Sequence, residues 1–296
     1  MNEPVSTDDV WTVQQILTWT TDFLAKGGIE SARLEAELLC AHARQCQRIR
    51  LYTDFDVPMT DIERARMREY VQRRAGREPL AYITGRREFY GRKFEVGRGI
   101  LIPRPETETL IDLALEQIPD DRPSTFVEVG FGSGCIAITL AVQKPKCRII
   151  ASDISEVCCE YAQRNAEIHE VNDRIHFIHG DGLHPVKQQL GDSLCDGFIS
   201  NPPYVCVHEF KELQPEVGLH EPRKALLSGA DGLDLIRKLI PQSVTILRRG
   251  GWVGIECDPS QCAPISQLMS GAGLTAAQVH RDYRDVARIV TATNGE

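Results

Sequence analysis

Apolar positions in the first eighty residues recur at helical spacing. Val13, Ile16, Leu17 and Leu24 make one stripe, opened by a Thr12/Gln15 capping box and closed by Gly27-Gly28. Ser31 opens a second helix with Leu34, Leu38 and Leu39 turned inward, and a Thr60/Glu63 box starts a third that stops at Gly76. No cluster of chemistry-bearing side chains accompanies these stripes. Residues 1–80 are therefore expected to form a small helical bundle.

From about 81 to 105 the period changes. Phe89-Tyr90-Gly91, followed by Phe94 and Val96, predicts a short hairpin, and Ile100, Leu101 and Ile102 lead into a stiff extended loop, Pro103-Arg104-Pro105-Glu106. A helix carrying Leu110, Ile111, Leu113 and Leu115 follows. Beyond 124, short apolar runs at 126–129, 148–152, 175–178, 197–200 and 252–256 alternate with helical segments, and runs near Gln278 and at 287–291 suggest a closing hairpin. That alternation predicts an α/β fold with a doubly wound, mostly parallel sheet. The expected division is a helical domain at 1–80, a hairpin and linker at 81–105, and a catalytic domain at 106–296.

Composition narrows the classes. The chain has 296 residues, 42% hydrophobic and 26% charged, with no run of eighteen apolar residues, which excludes a disordered chain and a membrane bundle. A net charge of −8 disfavours a general binder of polyanions. The charge is uneven: residues 64–104 hold twelve basic and four acidic side chains, leaving −16 on the rest. Two readings of this stretch stand open, a solvated helix face or a docking patch for an acidic partner built on Arg73, Arg74 and Arg77. Ten cysteines show no metal-knuckle or redox spacing, so they read as reduced buried thiols, and no metal site is expected. Residues 1–10 carry acids and no apolar core, unlike a signal peptide, and a cytoplasmic protein is expected.

The chemistry is concentrated after 124. Glu128-Val129-Gly130-Phe131-Gly132-Ser133-Gly134 sits between the first predicted strand and its helix, where glycines let the backbone turn tightly and approach a ligand. Asp153 ends the next strand, placed to take both hydroxyls of a ribose. A dinucleotide fingerprint would want a glycine at Cys135. The tighter spacing, with an acid two residues before the first glycine, looks instead like an S-adenosylmethionine site, whose cofactor has no pyrophosphate to hold at a helix N-terminus.

Asn201-Pro202-Pro203-Tyr204 follows another strand. The prolines stiffen the corner and remove two backbone donors, leaving the carbonyls of Asn201 and Pro202 and the Asn201 side-chain oxygen as acceptors, with Tyr204 as a flat wall. Such a corner suits a planar substrate NH2 group. Its nitrogen lone pair is delocalised, and full loss of amide conjugation is on the order of 18–20 kcal/mol. Acceptors pulling on its hydrogens make the nitrogen more nucleophilic and aim it.

These residues, with Pro79-Leu80-Ala81-Tyr82-Ile83-Thr84-Gly85, Leu101-Ile102-Pro103-Arg104-Pro105-Glu106-Thr107-Glu108, Glu221-Pro222, Gly232-Leu233-Asp234 and Arg288-Ile289-Val290, resemble the peptide chain release factor glutamine methyltransferase family over about residues 10–292. The Pro-Arg-Pro-Glu-Thr-Glu stretch is the specific part. The resemblance implies a class I S-adenosylmethionine-dependent methyltransferase, with a Rossmann-like seven-stranded sheet and a helical N-terminal domain that helps hold the substrate. It implies methyl transfer to the side-chain amide nitrogen of the glutamine in the Gly-Gly-Gln tripeptide of class I release factors, in translation termination.

On this resemblance Gly130, Phe131, Gly132, Ser133, Gly134, Asp153, Asp181, Gly182 and Asn201 hold the cofactor. Asn201, Pro202, Pro203 and Tyr204 hold the substrate glutamine, with Asn201, Pro202 and Tyr204 serving catalysis. The partner is then a release factor rather than nucleic acid or membrane, and the chain is expected to act as a monomer. Two departures stand out: Gly182 replaces a bulky residue beside the adenine, leaving Asp181 or Leu183 to share that contact, and Glu256-Cys257-Asp258 replaces Glu-Ile-Gly, read as drift. The alternatives are a glutamine methyltransferase of a large-subunit ribosomal protein, an adenine-N6 methyltransferase of nucleic acid and a binding module. The first usually carries Pro-Arg-Ser where this chain has Pro103-Arg104-Pro105. The second wants a basic face across its cleft.

Overall fold

The computed structural model describes residues 11–295, and the segment 1–10, expected to hold no signal peptide, lies outside them. Two compact units appear: one runs to Gly85 and includes Pro215–His220, and the other comprises Arg86–Gln214 and Glu221–Glu296. The division at 80 expected from sequence shifts to 85 because the short helix Leu80–Thr84 buries Ala81, Tyr82 and Ile83, the last in the helical core. The later interruption at 215–220 has no local sequence signal.

In the helical unit both capping boxes form. The Thr12 hydroxyl accepts the Gln15 N–H at 3.3 Å while Gln15 Oε1 accepts the Thr12 N–H at 2.9 Å, and Thr60 and Glu63 repeat this at 3.3 and 2.7 Å. These start the helices Val13–Lys26 and Asp61–Ala75, which pack with Ala32–Ala43 around Leu17, Leu24, Leu39, Cys40, Met67 and Val71. Leu34 was expected inside and is 44% exposed. The buried face of its helix runs through Ala32, Ala36, Leu39, Cys40 and Ala43, a four-three period that leaves position 34 on the solvent side.

The docking-patch reading of Arg73, Arg74 and Arg77 is also corrected. Arg73 forks onto Glu78 at 2.8 and 2.9 Å. Arg74 is buried against Glu35 and Glu216, the latter at 2.9 Å, and Arg77 reaches Glu216 at 3.1 Å and the carbonyls of Gly27 and Gly28 at 3.3 Å each. Arg73 finds its acid five positions on, but those of Arg74 and Arg77 lie far off in sequence, Glu35 by 39 positions and Glu216 by 142 from Arg74, where a local charge count does not reach.

The second unit opens with the hairpin β1 (Arg86–Phe89) and β2 (Arg92–Glu95), turned by Tyr90 and Gly91, both at positive φ. Its sheet contains β3 (Ser124–Val129), β4 (Cys147–Asp153), β5 (Ile175–His179), β6 (Cys195–Ser200), β7 (Leu247–Glu256), β8 (Leu274–Arg281) and β9 (Ala287–Asn294). Every apolar run predicted as a strand falls in one of them. The order is β5-β4-β3-β6-β7-β9-β8, with β9 antiparallel to both neighbours and the first five strands parallel. It is the seven-stranded sheet of class I methyltransferases. β3 has β4 on one side and β6 on the other, so the strand order reverses there and opens a crevice at the carboxyl ends.

The ten cysteines are all free and mostly buried. Among the described residues no helix is long and apolar enough to cross a membrane, and no group of His, Cys, Asp and Glu could hold a metal ion.

Candidate active site

The crevice is a cavity of about 370 Å³. Gly130, Phe131, Gly132 and Ser133 line it from the loop after β3, Asp153 from the end of β4, Asp181 and Gly182 from the loop after β5, and Asn201 and Pro203 from the corner after β6. Four strand ends thus bring nine of the sequence-predicted residues around one space.

The loop is locked by its own backbone. Gly130, Gly132 and Gly134 all have positive φ, and the Gly130 N–H donates to the Ser152 carbonyl at 2.8 Å while the Gly134 N–H donates to that of Phe131 at 2.7 Å. Gly134 does not line the cavity. A Cβ there would meet Ile138 Cδ1 at 2.9 Å and both Ala162 Cβ and Phe177 Cζ at 3.2 Å, so this glycine lets the next helix seat tightly on the sheet. Asp153 ties loop to strand: Oδ2 accepts the Gly132 N–H at 3.0 Å and Oδ1 the Ser155 N–H at 2.9 Å. Each oxygen keeps a lone pair for a further donor.

Glu128 is fully buried on the cavity wall, and neither carboxylate oxygen has a hydrogen-bond partner. Burial pushes its carboxyl up to about 8, against a pull from the Ala137 amide. A native protein rarely leaves two such oxygens unpaired, and their cost falls only when a cation or donor enters the cavity. Asp181 is exposed at the rim, and Gly182 holds the Ser152 hydroxyl through its carbonyl at 2.6 Å. Leu183 is not beside the cavity: it is buried in the core, whereas Ile154 and Leu235 supply apolar wall.

Next to this space lies a smaller cavity of about 50 Å³, lined by Leu101, Arg104, Asn201, Pro202, Tyr204 and Val205 among others. Asn201 borders both. The corner is stiff for reasons beyond its prolines. Gln261 Nε2 donates to the carbonyls of Tyr204 at 2.8 Å and Asp231 at 3.0 Å, and Gly232, at φ 73°, lies so close beneath that a Cβ would collide with the Tyr204 carbonyl. Val205 adds backbone bonds to Leu226 and Ser228. Neither the Asn201 nor the Pro202 carbonyl is taken by another residue among those described.

Several site residues had no role assigned from sequence. Asn201 Nδ2 donates to the buried Thr107 hydroxyl at 3.1 Å, and the buried carboxyl of Glu256 stands near the same hydroxyl. Burial pushes Glu256 up to about 7, opposed by Thr107, Arg288 and Arg104, with Glu106 adding to the rise. Glu221, buried, accepts the Ile102 N–H at 3.1 Å and pairs with Arg104, fastening the proline loop over the corner. Asn165, fully buried, donates to the Ser133 carbonyl at 2.9 Å and exchanges hydrogen bonds with the backbone of Glu95, so the hairpin braces the glycine loop.

Residues 15–85 match the PrmC N-terminal domain and residues 111–231 the methyltransferase small domain. A release factor glutamine methyltransferase from Rhodopirellula baltica is 42% identical over 288 residues, 95% of this chain and 93% of that one. The chain belongs to the release factor glutamine methyltransferase family. A second such enzyme, from Geobacter sulfurreducens, is 39% identical and covers 95% of this chain and 96% of its own length. Among solved structures the hMettl16 catalytic domain superposes with a TM-score of 0.58 at 17% identity, covering 75% of this chain and 82% of that one, a likeness of fold. The stretch Leu101 to Glu108 and Glu221-Pro222, both part of the resemblance, meet at the Asn201 corner through Thr107, Ile102 and Arg104.

Proposed function

We propose that this glutamine methyltransferase transfers the methyl group of S-adenosylmethionine to the side-chain amide nitrogen of the glutamine in the Gly-Gly-Gln tripeptide of class I release factors. The observation that carries the reading is the position of Asn201, the one predicted residue that borders both cavities. A donor in the larger space and an amide in the smaller one would meet at its side chain.

The residues present fit the cofactor. Gly130 to Ser133 would lie along it, Asp153 would receive ribose hydroxyls on its two free lone pairs, and Ile154 and Leu235 would flank the adenine where Gly182 leaves room. Glu128, an unpartnered acid on the cavity wall, suits a ligand carrying positive charge. When bound, the cofactor supplies an electrophilic methyl on a sulfonium sulfur. The chain's part is to bind and aim the nucleophile: Asn201 Oδ1 and the free carbonyls of Asn201 and Pro202 accept the two amide hydrogens, and Pro203 and Tyr204 keep the amide plane in register. The new N–C bond would replace the S–C bond, and one of the two amide hydrogens would leave as a proton to solvent, past acceptors that stay neutral. Groups that accept hydrogen bonds without becoming charged avoid the cost of a buried carboxylate at the corner.

A cytoplasmic site of action accompanies this reading, and ten unpaired cysteines suit a reducing compartment. The test is incubation of the chain with a purified class I release factor and labelled methyl donor, followed by mass mapping. One methyl on the tripeptide glutamine is expected, and none on a glutamine-to-alanine substrate. Asn201→Ala should lower kcat by about 10²–10³-fold, the size of losing one group that stabilises transition-state charge. Cofactor affinity should stay within a few-fold. Label at another residue, or full activity of the variant, would refute the assignment.

A further inference from the structure

We propose that Gln261 is a positioning residue for methyl transfer: by gripping the Tyr204 carbonyl, its side-chain amide keeps the Asn201–Tyr204 corner in the shape that receives the substrate amide. The proposal rests on the proposed function. It starts from what the two prolines leave undone. Proline fixes φ only within its own ring, so Pro202 and Pro203 do not set the peptide plane that follows Tyr204. That plane is instead held at both edges. The Val205 N–H donates to the Leu226 carbonyl at 2.8 Å, and the Tyr204 carbonyl accepts Gln261 Nε2 at 2.8 Å. One bond would leave the plane free to rock about it, and two on opposite edges fix it. The Tyr204 side chain, which lines the smaller cavity, is fixed with it.

A side-chain amide grips well only if its own orientation is settled, because its oxygen and NH2 ends have nearly the same shape. Three backbone groups settle it here. Gln261 Oε1 accepts the Asp258 N–H at 3.1 Å, and a backbone N–H only donates. Nε2 donates to the carbonyls of Tyr204 and Asp231, at 2.8 and 3.0 Å, and carbonyls only accept. Turned over, the amide would oppose like to like at all three contacts. Gln261 is buried, so water does not compete. Its base is fixed as well: it ends the turn Pro259–Gln261, in which Asp258 Oδ1 accepts the Ser260 N–H at 3.0 Å, and the helix Cys262–Gly271 begins at the next residue. Gly232 makes the room, since a Cβ there would collide with Gln261 Nε2 as well as with the Tyr204 carbonyl. Gly232-Leu233-Asp234 belongs to the resemblance, and the grip gives its glycine a physical reason. Gln261 lines neither cavity, so it acts through the corner and not by touching cofactor or substrate.

The test uses the full chain. Gln261→Met keeps the length and volume of the side chain and removes both donors. It should lower kcat about tenfold, the worth of one hydrogen bond, with calorimetric affinity for S-adenosylmethionine within a few-fold of wild type. General loosening of the fold would weaken both together. In an Asn201→Ala background Gln261→Met should cost little more, because the corner it shapes has already lost its reacting contact. A second readout needs no turnover. Tyrosine carrying ¹³C at its carbonyl, combined with ¹⁵N-valine, marks only the peptides Tyr70–Val71 and Tyr204–Val205. In Gln261→Met the Tyr204 carbonyl signal should move as it loses its donor, while that of Tyr70, in the helical unit, stays. A wild-type kcat in Gln261→Met, equal losses of kcat and cofactor affinity, or two unmoved carbonyl signals would each overturn the proposal. If the wild-type chain transfers no methyl to a release factor, the functional reading fails, and the proposal with it. Transfer by wild type with an undiminished Gln261→Met sinks the positioning role alone.

Discussion

Buried acids meet opposite fates in the two units. In the helical unit Glu37 is nearly fully buried and accepts from Arg33 at 2.7 Å, Tyr52 at 2.8 Å and Arg48 at 3.3 Å. Glu78 takes a two-pronged Arg73, and Glu35 and Glu216 share Arg74. In the catalytic unit Glu128 is buried with both oxygens unpaired, and Glu256 has one oxygen without a partner. The helical unit spends its acids on closing its own structure, and the sheet unit does so with Glu221 but leaves Glu128 and one oxygen of Glu256 unsatisfied at the strand ends. An unsatisfied buried carboxyl is costly whether it carries charge or a proton, so it persists where a ligand will satisfy it.

The largest effect should come from breaking the paired side. Arg74→Ala strands Glu35 and leaves Glu216 with Arg77 alone, and removing one partner of a buried ion pair costs about 3–5 kcal/mol. Thermal and urea unfolding should show that loss, while cofactor affinity measured well below the melting point is preserved. A loss of less than about 1 kcal/mol, the range of exposed pairs, would mean the network is ornamental. The same variant replaces the idea that Arg73, Arg74 and Arg77 recruit a partner. Their charge is already consumed, so weakened substrate binding in this variant should track loss of folded protein.

On the unpaired side the next effect is at Asp153. Its carboxylate holds the Gly132 and Ser155 amides and presents free lone pairs to the cavity. Asp153→Ala removes hydrogen bonds to a charged group worth about 1.5–3 kcal/mol, so cofactor affinity should fall about 10–100-fold. Stability should change less than in Arg74→Ala. Calorimetric titration decides it, and an unchanged affinity would remove Asp153 from the site.

The contrast between the units also marks what could be read in advance. The glycine loop, Asp153 and the Asn-Pro-Pro-Tyr corner were legible because each acts through local backbone chemistry: tight turns, a strand end, two missing donors. The sheet was legible because apolar runs of strand length alternate with helices. Thr107 was not legible as a partner of Asn201, since that bond forms only when the corner after β6 meets the start of the helix Thr107–Gln117. The Arg74–Glu216 pair was invisible for the same reason, and so was the membership of Pro215–His220 in the helical unit. Leu34 failed differently: a leucine at a plausible spacing was assigned inward, but the small residues Ala32, Ala36 and Ala43 define the packed face.

The smallest effect, and the sharpest test of the unpaired side, is a proton. In the free chain burial raises the Glu128 carboxyl from 4.5 to about 8, so at neutral pH it is largely protonated. A positively charged ligand beside it favours the carboxylate and lowers that value, so binding below pH 8 must expel a proton. Affinity for the cofactor should therefore tighten as pH rises through neutrality, by at most about tenfold per unit, and level off once the free carboxyl is ionised. Glu128→Gln cannot ionise. Its affinity should be nearly flat with pH, close to wild type at pH 6 and weaker than wild type at pH 8.5. Titrations at pH 6.5 in two buffers of different ionisation enthalpy should show proton release for wild type and less for the variant. Equal slopes and equal proton release in both would mean that Glu128 does not face the bound charge.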